Sequence, residues 1–552
     1  MTAARPRPPA DLVITGAALW CGNPPGRRAS ALAVTGDRIV AVGTEDDVRE
    51  QVGRGTDVLH LPGRLVVPGF QDAHVHPPTA GRNRLTVDLD GLAGLPAYLE
   101  AIGRYAAAHP DQPWIVGGGW AMEHFPGGTP SKVDLDRIVP DRPVFLFNRD
   151  VHGAWVNSRA LELAGITRHT PDPADGRIER DAAGEPAGTL HEGAAYSLDD
   201  RFVPTPGQPE WEAAILSAQR HLHGLGITAW QDAWVTPDTQ RAYESLAGDG
   251  RLTGRVVGAL WWDRHRGTDQ LADLLTRREH AATAGHGTFR ATSVKIMADG
   301  VLENGTGALL EPYCDGCGGT TGNSGLSYLD HDELAGAVTA LDAEGFQVYL
   351  HTIGDRAVRD ALDAITAARA ANGPRDARHH LAHVQLIHPD DLPRFRELDV
   401  VANCQAYWAQ SDAQMEELTL PFLGRGRGAR QYPFADLLRA GARLTMGSDW
   451  GVSTADPLLQ MEVAVTRVDP GRRDGVPFLP EQRLTPTQAL LGFTSGSAYV
   501  NHDDHESGSL VAGRRADLAV LDTDPFADGA PPIGDARVEF TVAAGRVVHE
   551  RR

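Results

Sequence analysis

Short apolar runs alternate with helical stretches along the middle of this 552-residue chain. The runs fall near residues 66–75, 227–233, 255–262, 291–298, 346–350, 379–383, 399–404 and 442–448. Strands separated by helices pair in parallel through crossover connections. Eight of them are the count of a (β/α)8 barrel, whose active sites lie at the C-terminal ends of the strands. The expected fold class is therefore α/β, a (β/α)8 TIM-like barrel.

Residue types that bind metals sit at those ends. The run Val66–Val75 finishes in His74-Val75-His76, and side chains two apart on a strand share a face, so both imidazoles can reach one cation. A bare His-x-His is more commonly two surface histidines. Lys295 interrupts the buried run Val294–Ala298, and an ammonium there is costly unless compensated. The commoner arrangement is a pairing with Asp299 or Glu303. The alternative is a desolvated amine of lowered pKa that reacts with carbon dioxide to give a carbamate able to bridge two metals. His351 and His383 end two further runs, and Asp449 ends the last, in Gly447-Ser448-Asp449. Asp355 stands where a helix N-cap is expected. A second His-x-His, His221 and His223, lies in a helix C-terminal pattern, where residues two apart do not share a face.

The order His-x-His, Lys, His, His, Asp resembles the metal-site pattern of the amidohydrolase superfamily. The local wording is closest to amidohydrolase family 3, with its YtcJ-like proteins and N-substituted formamide deformylases. The words are PGFQDAHVH at 68–76, GGGWAMEHFPGG at 117–128, VHGAWVNSRAL at 151–161, VKIMADG at 294–300, HTIGD at 351–355, LAHVQ at 381–385 and GSDWGV at 447–452. The resemblance implies one or two divalent metals, zinc by default, held by His74, His76, Lys295, His351, His383 and Asp449, with Lys295 carboxylated and Asp449 the catalytic proton carrier. With a single metal, His74, His76, His351 and Asp449 suffice, His383 acts as an electrophile and Lys295 is a charge partner. The implied reaction is hydrolysis of a non-peptide C–N bond in a small amide, with N-substituted formamide a candidate. Deamination and ester or lactone hydrolysis are the alternatives on the same site, and a non-catalytic metal-binding protein is the alternative from another class.

Two β-rich ends, 1–67 and 500–552, suggest one composite β-sandwich domain, leaving 68–499 to the barrel. The stretch from about 80 to 205 is too long for one crossover and reads as an insertion over the barrel mouth. Trp120, His152 and Trp155 are then candidates for the substrate pocket or for packing inside the insertion. Glu192 and Asp299 are further candidates near the mouth, and Trp408 and Trp450 add aromatic surface that favours an apolar or aromatic substituent. The formal charge of −21 argues against nucleic acid or anionic membranes as partners. No apolar run is long enough to span a membrane. MTAARPRPPADL lacks a signal peptide's apolar core and reads as a short disordered lead. Cys314 and Cys317 form a lone Cys-x-x-Cys, short of the second pair a zinc ribbon needs, and two reduced thiols fit a cytoplasmic location. A homodimer is compatible with all of this.

Overall fold

The computed structural model describes residues 9–22, 24 and 26–551. The expectation of a disordered lead falls largely on residues 1–8, outside the described residues. All eight expected barrel strands are present: β1 Phe70–Val75, β2 Ile227–Val235, β3 Arg255–Trp261, β4 Phe289–Met297, β5 Gln347–Thr352, β6 His380–His383, β7 Val401–Cys404 and β8 Arg443–Met446. They form one parallel sheet in sequence order. The first run splits in two. Leu65–Pro68 pairs with Leu518–Leu521 in another sheet, and β1 starts only after Gly69.

The sheet closes just past the ends of β1 and β8. The Asp449 amide donates to the His74 carbonyl and the His76 amide to the Trp450 carbonyl, both at 2.7 Å. Gly447 makes the approach possible, since a Cβ there would lie 2.4 Å from the Cβ of His74. Tyr349, Ala233, Ala259 and Ala382 pack together as a buried cluster inside the barrel, small residues making room for one ring.

Both chain ends contribute to a six-stranded sheet of Arg546–Glu550, Val538–Ala543, Leu518–Leu521, Leu65–Pro68, Ala18–Trp20 and Arg28–Ala29. A four-stranded sheet, Leu12–Thr15, Ala31–Thr35, Arg38–Gly43 and Asp57–His60, packs on it through Ile14, Leu32, Val34, Leu518 and Val520. Between β1 and β2 stands a six-stranded sheet, from Val87–Asp88 to Pro186–Glu192, carrying its own apolar cores. No helix of the described residues is long and apolar enough to cross a membrane.

Candidate active site

The C-terminal ends of the barrel strands open into a cavity of about 770 Å³. His74, His76, Lys295, His351, His383 and Asp449 all line it, brought together from β1, β4, β5, β6 and the turn after β8. His74 Nε2 and His76 Nε2 are 3.3 Å apart, and each lies 3.2 Å from Asp449 Oδ1. The ring of His383 is 4.8 Å from that of His74 and 4.5 Å from that of His351. Two of these positions, and the residue after one of them, need left-handed backbone, at φ 72° for His383, 42° for Val384 and 56° for Asp449. Such strain in β-branched or bulky residues costs about 1–3 kcal/mol each and concentrates at functional sites.

The donor set fits a cation. Burial, with Lys295 adding to it, pulls His74 down to about 3, and burial likewise holds His351 and His383 well below the usual histidine range. Burial alone would raise the Asp449 carboxyl. The imidazoles of His74, His76 and His383 around it outweigh that and hold it well below the carboxylate range. Three neutral imidazoles and a carboxylate are in the protonation state that ligation demands. Ligand atoms on a tetrahedral ion with bonds of about 2.0 Å stand about 3.3 Å apart, which is the spacing of His74, His76 and Asp449. The Nε2 of His383 is buried without a hydrogen-bond partner.

Lys295 has no ion pair or hydrogen bond among the described residues, although it is only 2% exposed. Its Nζ rests 4.1 Å above the ring of Tyr349. The expected pairings do not form, because their partners are engaged elsewhere. Asp299 accepts from the amides of Ala308, Ile353 and Gly354 and from His351 Nδ1–H, while Glu303 accepts from Thr419. Burial pulls the Lys295 ammonium down to about 7, leaving a nucleophilic amine at neutral pH.

Several candidates sit elsewhere than expected. Asp299 is fully buried and does not reach the cavity; it fixes the tautomer of His351, leaving Nε2 free to ligate. Trp120 and Trp155 pack in the core of the inserted sheet, where their indoles donate to the carbonyls of Leu146 and Ser131. Neither lines the cavity, because the inserted sheet needs its own core. Trp408 does line it, whereas Trp450 packs against His221. Asp355 is not the cap: Gly354 takes that place, and Asp355 begins the helix and accepts from the Leu310 amide. His223 is engaged by the Ile227 carbonyl and Thr253, so the second His-x-His forms no metal cluster. His379 is held by Asp342, and His380 stacks on Tyr349 at 3.9 Å. Cys314 and Cys317 are free thiols.

Sequence reasoning passed over Trp234, Trp261 and Trp262, which wall the cavity. Trp234 and Trp261 lie 5.2 Å apart at the ends of β2 and β3. Their position at strand ends was the available signal.

His152 lines this cavity, and Glu192 lies buried behind it, off the cavity surface. His152 Nδ1 is 2.9 Å from Glu192 Oε2. Burial opposes the charge on both, yet each holds its partner's charge: His152 is raised to about 9 and Glu192 lowered to about 2. Gly300, which follows β4, leaves room for this pair. A Cβ there would stand 2.6 Å from Glu192 Oε1 and 2.2 Å from Thr306 Oγ1. Gly300→Ala is therefore expected to destabilise the fold by about 1–3 kcal/mol through overpacking. A lowered denaturant midpoint at unchanged slope is the readout, and an unchanged midpoint contradicts the packing.

A model of the amidohydrolase family matches residues 57–549. The chain belongs to the amidohydrolase family. It is a hydrolytic enzyme acting on carbon–nitrogen bonds. This amidohydrolase is 30% identical to the putative amidohydrolase YtcJ of Bacillus subtilis over 95% of its own length and 97% of the relative's. It is 29% identical to the N-substituted formamide deformylase of Arthrobacter pascens, covering 98% of each chain. An uncharacterized metal-dependent hydrolase from Pyrococcus furiosus shares its fold with a TM-score of 0.70 at 26% identity, across 94% of this amidohydrolase and 100% of that chain.

Proposed function

We propose that this amidohydrolase cleaves the amide C–N bond of a small molecule with an apolar or aromatic N-substituent, an N-substituted formamide being the first candidate. The observation that carries the reading is the convergence of His74, His76 and Asp449 within 3.3 Å of one another on the floor of a tryptophan-walled cavity. His74, His76 and Asp449 would hold one divalent ion and His351 and His383 a second, with carboxylated Lys295 between them. Zinc suits imidazole and carboxylate donors in this number. A divalent ion there would supply Lewis acidity and bring the pKa of water down toward about 7.

The protein's own groups do the rest. Asp449 takes the proton of the attacking water and delivers it to the departing nitrogen, a role worth about 10²–10⁴ in rate. Trp234, Trp261 and Trp262 bind the apolar substituent and exclude bulk water. Asp299 keeps His351 in the tautomer whose Nε2 is free. A cavity of about 770 Å³ supports a small-molecule substrate, and the full formamide assignment rests on the likeness to the deformylase alone.

A panel of N-benzyl and N-alkyl formamides, acetamides, esters and aminopurines tests the reading. Equal release of formate and primary amine is expected. Ammonia release without acid means an aminohydrolase, and turnover of esters alone overturns the amide assignment.

Carboxylation of Lys295 has a pH signature. The free amine is the reactive form, so its fraction rises as pH climbs through about 7. Apoprotein reconstituted with zinc at a fixed dissolved carbon dioxide concentration is expected to activate several-fold faster at pH 8 than at pH 6. An activation rate indifferent to carbon dioxide contradicts the carbamate.

A further inference from the structure

The barrel side chains form the floor of the cavity and tryptophans form one wall, yet His152 faces the same space without a role, with Glu192 bonded behind it. Glu192 is fully buried and His152 is 8% exposed. The carboxylate of Glu192 also accepts from Thr306 Oγ1 at 2.9 Å and from Tyr196 Oη at 3.3 Å. Thr306 follows β4, so one carboxylate joins the insertion to the barrel. The His152 carbonyl is held in turn by the Glu192 amide at 2.9 Å and by Asn304 Nδ2 at 3.4 Å. The ring is thus fixed from both ends. Its Nδ1 is spent on Glu192, and Nε2 is its free nitrogen. The ring lines the cavity and lies 5.5 Å from that of His351.

Stability does not explain this arrangement. A buried ion pair contributes little net folding energy, because desolvation offsets the attraction. Glu192 also sits at φ 51°, ψ −126°, a conformation that costs a non-glycine residue about 1–3 kcal/mol. Strain and a buried charge pair beside a reactive centre are the marks of a group held for contact with a ligand.

We propose that His152 is a catalytic residue that touches the substrate, its Nε2–H donating a hydrogen bond to the acyl oxygen of the scissile amide, with Glu192 the positioning residue that fixes the ring. The inference rests on the hydrolase reading of this site. Negative charge grows on the acyl oxygen as the carbonyl carbon becomes tetrahedral, and a donor fixed in advance stabilises it. The bond is a hydrogen bond throughout; His152 transfers no proton. The insertion thereby supplies a group that the barrel strands lack at that position.

His152→Leu, His152→Gln and Glu192→Gln are compared with wild type on the formamide panel at matched zinc content. Loss of one such donor costs about 10²–10³ in turnover. His152→Leu is expected to lose that much in kcat/KM. His152→Gln, which keeps an N–H donor, should retain about tenfold more. Glu192→Gln should lower kcat about tenfold with KM within about threefold, since positioning acts on the transition state rather than on binding. His152→Leu within threefold of wild type overturns the proposal, as does an equal loss in Leu and Gln, which is what packing alone would give. Where Leu unfolds the insertion, the Gln variants are read alone, and wild-type rates in both overturn it. If wild type turns over nothing in the panel, the proposed amide substrate class fails by itself. The contact is then read by titrating phenylacetate against tryptophan fluorescence. Binding to wild type that is at least tenfold weaker in His152→Leu supports the contact; equal binding, or none to wild type, overturns it.

Discussion

Asp449→Asn is expected to lower kcat by about 10⁴ while leaving the fold intact. The carboxylate stands 3.2 Å from both His74 Nε2 and His76 Nε2, so an amide in its place fits the same space. Two functions disappear together. An amide is a poorer ligand than a carboxylate, and it cannot accept the proton of the attacking water or hand it to the leaving nitrogen. General acid–base action alone is worth about 10²–10⁴, and the loss of a ligand adds to it. The thermal midpoint should fall modestly in metal-free protein, because the imidazoles around Asp449 favour its charged form more than burial opposes it, and the amide loses that interaction. A variant that keeps a tenth of wild-type turnover would place the proton carrier elsewhere in the cavity.

The second large effect belongs to Lys295. Lys295→Ala should cost about 10³ in kcat/KM and lower the zinc content per chain. The lysine is buried, has no counter-ion among the described residues, and rests on the face of Tyr349. An ammonium in such a place is a net loss of stability unless it serves as something else. Lys295→Ala is accordingly expected to unfold at higher denaturant concentration than wild-type apoprotein. Replacement by Arg should be worse than Ala for stability, since guanidinium stays charged where the amine need not. Zinc content equal to wild type in the alanine variant would remove the bridge from the site and leave Lys295 as a charge near Asp449.

Much of this molecule is legible as sequence because it depends on local pattern. Each barrel strand is an apolar run of ordinary strand length, and each ligand closes one, so strand direction alone brings His74, Lys295, His351, His383 and Asp449 to one end. The misplaced residues depend on contacts between distant segments. Asp299 looked like a pocket residue because it follows β4 by two positions, yet the turn folds it back beneath His351, where the three amides of residues 308, 353 and 354 wait. For Trp120 and Trp155 the sequence leaves pocket wall and packing inside the insertion both open, since it does not show which of the insertion's strands pack together. Those strands bury them with Phe125, Leu135 and Leu146. Gly354 displaced Asp355 from the helix cap because extended backbone at φ −84°, ψ 157° starts the helix one residue early. The His152–Glu192 pair spans 40 residues and joins two strands of the insertion, a contact no local spacing encodes.

Metal-dependent hydrolysis is tested most directly by one paired measurement on wild-type protein purified without added metal. Zinc per chain is determined by elemental analysis, and formamide hydrolysis is followed before chelation, after chelation and after zinc is restored. About two zinc ions per chain are expected, with hydrolysis lost on their removal and recovered on their return. Full hydrolysis by metal-free protein would contradict the mechanism.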